Sequence, residues 1–84
     1  MNNKNELLNH LNLLHTTPLG IMRIKRNLLL EVEDVIAWCK TKILNEDSLI
    51  YRNGKNWYVE SGHIIMTVHA TSYTLITAHT KSEH

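Results

Sequence analysis

Two of the six histidines in this 84-residue chain, His69 and His79, fall in runs rich in threonine and β-branched residues that also hold Thr67 and Thr77. One run earlier stand Asn56 and Tyr58. Histidine titrates near neutral pH, so two rings on one surface can divide acid–base work, one taking a proton while the other gives one. The threonine and tyrosine hydroxyls and the asparagine amide would then orient a substrate. The commoner fate of such residues is a solvated sheet face, where Thr, Tyr and His are all welcome.

Arg23 and Arg26 lie three residues apart, on one side of an expected helix, and suit planar, bidentate contacts to phosphate. Lys55, beside Asn56 at a tight turn, would extend such a phosphate-binding set. The ordinary alternative is solvated charge, partly paired with Glu31 or Asp34. His63, His69 and His79 have no zinc-like spacing, and no cysteine pair or adjacent carboxylate completes a set. No metal and no cofactor is therefore expected. The chain has no phosphate-cradling glycine loop and no G-x-S-x-G. Cys39, the single cysteine, falls in an apolar helical stripe and reads as a small core residue rather than a nucleophile.

Length bounds the rest. Eighty-four residues make one domain, spanning 1–84. A chain this short buries only about 60% of its unfolded surface, so its stability margin is thin. One cysteine and no secretory leader point to a reducing, cytoplasmic setting. No apolar run is long enough to span a membrane. A net charge of +1 is no nucleic-acid signature by itself.

The pattern that must position the polar residues is helices, then strands, with helices over about 5–44 and a sheet over about 48–80. Leu7, Leu8, Leu11 and Leu14 give a first helix one apolar side. Thr17-Pro18 opens a second, with the threonine as cap and the proline in the first turn. A third is expected over 31–44, with Val32, Val35, Ile36, Cys39 and Ile43 on one face and Glu31, Glu33 and Asp34 in its first turn. Asn53-Gly54 then signals a hairpin between 48–52 and 55–59. Strands at 63–70 and 73–80 complete a four-strand meander. The expected fold is α+β, two to three N-terminal helices packed on one face of a four-stranded antiparallel sheet.

Loop lengths fix which residues share a face. An Asn53-Gly54 turn pairs Ile50 with Trp57, and a loop at 60–63 pairs Trp57 with Met66. One face then carries Ile50, Trp57, Val59, Ile64, Met66 and Val68. The last turn has two solutions. A two-residue loop would put Leu75, Thr77 and His79 on that apolar face, and a three-residue loop would put Thr74, Ile76 and Ala78 there. The second is preferred because it keeps His79 out of the core. The opposite face then holds rows Asn56–Thr67–Thr77 and Tyr58–Ile65–His79, with Leu49, Tyr51, His69 and Leu75.

The strings His15-Thr-Thr-Pro-Leu-Gly20, Arg23-Ile-Lys-Arg-Asn27-Leu, Asp34-Val-Ile-Ala-Trp-Cys39-Lys, Gly54-Lys-Asn-Trp-Tyr58-Val and Leu75-Ile-Thr-Ala-His79 together resemble the small bacterial domain of unknown function 3781, over residues 7–81. That likeness implies no activity. The order of elements is also similar to small ribonuclease toxin domains of the barnase–colicin–RelE kind, a likeness of layout only. It implies a metal-independent endoribonuclease, or an RNA-binding relative of one. His69 and His79 would be acid and base, and Arg23, Arg26 or Lys55 would stabilise charge on the phosphate. The contrasting expectation is a non-catalytic module whose mixed face of Leu49, Tyr51, Tyr58, Ile65 and Leu75 binds a protein partner or a second copy.

Overall fold

The computed structural model describes residues 4–81. Three helices precede the sheet: α1 (Lys4–Asn9), followed by a 3₁₀ turn at Leu11–Leu13, then α2 (Pro18–Leu28) and α3 (Val35–Leu44). Four strands follow: β1 (Leu49–Asn53), β2 (Asn56–Ser61), β3 (Ile64–His69) and β4 (Leu75–Thr80). They form one antiparallel sheet in the order β1-β2-β3-β4.

The helices take their start points from their caps. Thr17 Oγ1 accepts the Gly20 amide at 3.0 Å, with Pro18 in the first turn, as the sequence implies. Asp34 Oδ1 accepts the Ala37 amide at 3.0 Å, so α3 begins at Val35, four residues later than expected. Glu31 and Glu33 therefore precede the helix instead of filling its first turn. The residue that stops α2 explains the delay. Leu29 adopts a left-handed conformation (φ 53°, ψ 46°), and Leu30 N–H closes a Schellman-type bond to Lys25 O at 2.9 Å. The chain needs the next few residues to turn back before a new helix can start.

The core lies between the helices and one face of the sheet. Leu7, Leu11, Leu14, Ile24, Val35, Cys39 and Ile43 pack against Trp57, Val59, Met66, Val68, Leu75 and Ala78. Burial pushes the Cys39 thiol up to about 11, so at neutral pH it stays protonated and serves as a packing group.

Both hairpin registers differ from those expected, for the same reason. Gly54 (φ 63°) and Gly62 (φ 61°) occupy the first central position of two-residue turns, followed by Lys55 and His63 at negative φ. That is the φ pattern of a type II′ turn, which asks for glycine first, rather than a type I′ turn with glycine second. Asn53 consequently pairs with Asn56, Ile50 with Val59, and Ser61 with Ile64. Each pairing slides by two residues, which leaves every side chain on its expected face.

The last hairpin mixes the two alternatives. Met66 pairs with Ala78 and Thr67 with Thr77, as the three-residue loop requires, but a bulge between Thr67 and Val68 sets Leu75 opposite Val68. Leu75 is thus fully buried in the core and Ile76 is exposed, the reverse of the expected placement. β4 is not left as a bare edge. His15 forms a parallel bridge with Thr74, Thr16 Oγ1 donates to Leu75 O at 2.9 Å, and Asn27 Nδ2 donates to Ala78 O at 3.3 Å.

Candidate functional site

The face of the sheet turned away from the helices carries three rows. Tyr51, Tyr58, Thr67 and Thr77 run across all four strands. Leu49, Glu60, Ile65 and His79 run beside them on one side, and Asn53, Asn56 and His69 on the other. The two-residue slide in β2 is what puts Tyr58, and not Asn56, beside Thr67.

Tyr51 and Tyr58 are a directly opposed cross-strand pair, with ring centroids 5.6 Å apart and planes inclined by 22°. Tyr51 Oη donates to Glu60 Oε2 at 3.2 Å, and Glu60 Oε1 lies 2.7 Å from Lys81 Nζ. The bond from Lys81 holds the Glu60 carboxyl below its usual range, and Tyr51 adds to this by donating to it. The Tyr51 phenol is held above its ordinary value, first by desolvation and then by its bond to Glu60. At the other end of the face, Asn56 Nδ2 donates to Tyr58 Oη at 3.5 Å. Thr67 is almost buried at 8% exposure, although it faces outward, because it is flanked in its row by Tyr58 and Thr77.

The two histidines are fixed in opposite tautomers. His69 Nδ1 accepts the Thr71 and Ser72 amides at 3.2 and 3.3 Å, which requires the proton of the neutral ring to sit on Nε2. His69 therefore presents a donor. His79 Nδ1 lies 3.0 Å from Thr80 O and must donate to it, which leaves Nε2 as an acceptor. The pairing of roles suits acid–base chemistry, but the spacing does not. His79 pairs with Ile65, four residues from His69 along β3, about 13 Å at the rise of a strand. An acid and a base acting on one phosphate must each come within about 3 Å of the proton they move.

The phosphate-binding candidates divide between two surfaces. Lys55, at the exposed turn, and Asn56 lie at the His69 end of the sheet face; Ala70 N–H donates to Lys55 O at 2.8 Å, and Asn56 pairs with His69. Arg23 and Arg26 are elsewhere. They lie on the outer side of α2, whose inner side buries Ile24 in the core beneath the opposite face of the sheet. His15, at the sheet edge, is a structural residue. Its Nδ1 donates to Leu13 O at 2.9 Å and its Nε2 accepts from Thr74 Oγ1 at 3.2 Å.

A loop at 60–63 leaves Glu60 off this face and Lys81 lies beyond the expected last strand, but β2 runs to Ser61 and the two side chains meet here. The signal was present in Ser61-Gly62-His63, where glycine followed by one polar residue suits a two-residue type II′ turn and extends β2 to Ser61. Among the described residues, no group of three or more His, Cys, Asp or Glu side chains is placed to hold a metal ion. Among them, too, no helix is long and apolar enough to cross a membrane.

Comparison with known proteins adds a family. A family model described as a protein of unknown function, DUF3781, matches residues 8–79. No curated protein and no solved structure matches the chain.

Proposed function

We propose, for a chain that belongs to the DUF3781 family of proteins of unknown function, that the uncovered sheet face binds single-stranded RNA. The observation that carries this reading is the Tyr51–Tyr58 pair, two aromatic rings side by side on the open face of a four-stranded antiparallel sheet. Unpaired bases stack on such rings, and the sheet holds the rings at fixed spacing. Asn56 and the Nε2–H of His69 stand next to Tyr58 as groups able to meet a base edge. Lys55 and Lys81 lie at opposite ends of the face, where a strand crossing it would bring its phosphates.

A net charge of +1 sets the scale. Only a few phosphates can be neutralised, so binding is modest and its salt dependence shallow, with a slope near −0.7 for each phosphate contacted. Cleavage by a His69–His79 pair is not part of the proposal, because about 13 Å separates the two residues along the strand.

Fluorescence anisotropy with a labelled mixed-sequence RNA, at low salt in EDTA, tests the reading. Tyr51→Ala and Tyr58→Ala should each weaken binding by about 1–3 kcal/mol, roughly 5- to 150-fold. Unchanged affinity in both variants would overturn it. The same reactions run on a gel decide between binding and cleavage. Products ending in a cyclic phosphate, lost in His69→Ala/His79→Ala, would restore the endoribonuclease reading.

A further inference from the structure

The outer side of α2 carries a second surface that the sheet face does not use. At 100° per residue, Leu19, Met22 and Arg26 fall on the side of the helix opposite the buried Ile24, with Arg23 at their margin and Leu29 just past the helix end. Leu19, Met22 and Leu29 are 54%, 66% and 87% exposed. Leu19, Met22, Arg23 and Arg26 line a hollow of about 420 Å³, open to solvent. Among the described residues, neither arginine has a hydrogen-bond or ion-pair partner through its guanidinium.

Two features set this stripe apart from scattered surface leucines. Leu19, Met22 and Arg26 share one helical seam, about 10 Å long at 1.5 Å per residue, and border a single hollow. The two guanidinium groups beside the apolar pair lack a partner among the described residues and so can take one of opposite charge.

We infer that this stripe is a docking site for an acidic amphipathic helix of a partner protein. The helix would lay its apolar side on Leu19 and Met22 and its carboxylates on Arg23 and Arg26. Charge complementarity selects this occupant. In a second copy lying antiparallel on α2, Arg23 and Arg26 would meet their own counterparts, like charge against like charge. An RNA backbone has no use for the leucine and methionine beside the arginines. A lipid surface calls for a longer basic helix, with its polar and apolar sides kept apart. Leu19 and Met22 stand at the i, i+3 spacing of helix anchors, and planar guanidinium groups match carboxylates.

The test is selection from a displayed library of randomised amphipathic helical peptides on the immobilised full chain. Enriched sequences should carry Glu or Asp flanking Leu, Ile or Met at i, i+3 and i+7. Binding of the best peptide should fall at least about tenfold in Arg23→Glu/Arg26→Glu, and likewise in Met22→Asp. These side chains are exposed, so the variants should keep the wild-type melting curve, and Arg23→Lys/Arg26→Lys should retain partial binding. Recovery of no peptide, recovery of peptides without acidic bias, or binding unaffected by charge reversal would each overturn the inference. So would binding to phosphatidylserine vesicles through the same residues with peptides silent. Peptide binding should be unchanged in Tyr51→Ala and Tyr58→Ala, which keep the net charge and lie on the opposite side of the molecule, so failure here and failure of the RNA reading are told apart.

Discussion

The two faces of the sheet are built from the same four strands, by alternate residues, yet they depend on different things. The helix-facing side needs only that Trp57, Val59, Met66 and Val68 be apolar and point inward, and any slip of two residues preserves that. The open side needs particular neighbours. Tyr51 stacks on Tyr58 because β1 and β2 pair through a Gly54-Lys55 turn, and with an Asn53-Gly54 turn Tyr51 would stand opposite Asn56. A core is thus tolerant of register, whereas a surface that binds something is not.

The sharpest contrast between the faces should appear in stability. Trp57→Ala, in the core row, should cost about 3–5 kcal/mol by denaturant unfolding. That is a large share of the roughly 4–13 kcal/mol a chain of this length has in total. Thr77→Ala, in the open row, should change stability by no more than about 0.5 kcal/mol. Equal losses would mean that the open face is not open in solution.

A pH series sharpens the same contrast through Cys39. Its folded thiol is pushed up to about 11 from an ordinary value of 9.0. Between those values the unfolded chain loses the proton first, so stability present below about pH 9 should drain away as pH rises toward 11. The part due to the thiol is up to about 3 kcal/mol. It should appear as a pH-dependent difference between wild type and Cys39→Ala, on top of the alanine variant's own cavity cost at every pH. A parallel pH response in the two proteins would show that the thiol is not desolvated.

A loss smaller than that at Trp57 probes the register itself. Gly62→Ala forces a side chain into positive φ and should cost about 1–2 kcal/mol. With the β2–β3 turn loosened, RNA affinity should fall further than the stability loss alone would imply, because the Tyr58 row depends on that pairing. Loss of stability with RNA affinity intact would argue that the row is not the binding element.

The order of elements, the α+β class and the face taken by the strand residues other than Leu75 and Ile76 were legible in the residues alone. Apolar type and alternation are local properties, and they survive errors in loop length. The cap at Thr17 was legible too, since it depends on a side chain and an amide three residues on, whereas Asp34, expected in the first turn of α3, is its cap. The start of α3 was not, because it waits on Leu29 adopting a conformation that leucine seldom takes. Nor was the placement of Leu75 against Ile76. Both are apolar β-branched or γ-branched residues, and only the bulge opposite Val68 decides which of them is buried.

The candidate site followed the same division. Sequence placed His69, His79, Tyr58, Thr67, Thr77 and Asn56 on one face, because parity along a strand is fixed at two residues. Only the tertiary structure set Tyr58 beside Thr67, joined Tyr51 to Glu60 and Lys81, held the two histidines at opposite ends, and sent Arg23 and Arg26 to another surface. Those relations depend on turn geometry and on how helices lie across a sheet, which are sums over many weak contacts and are written in no single stretch of the chain.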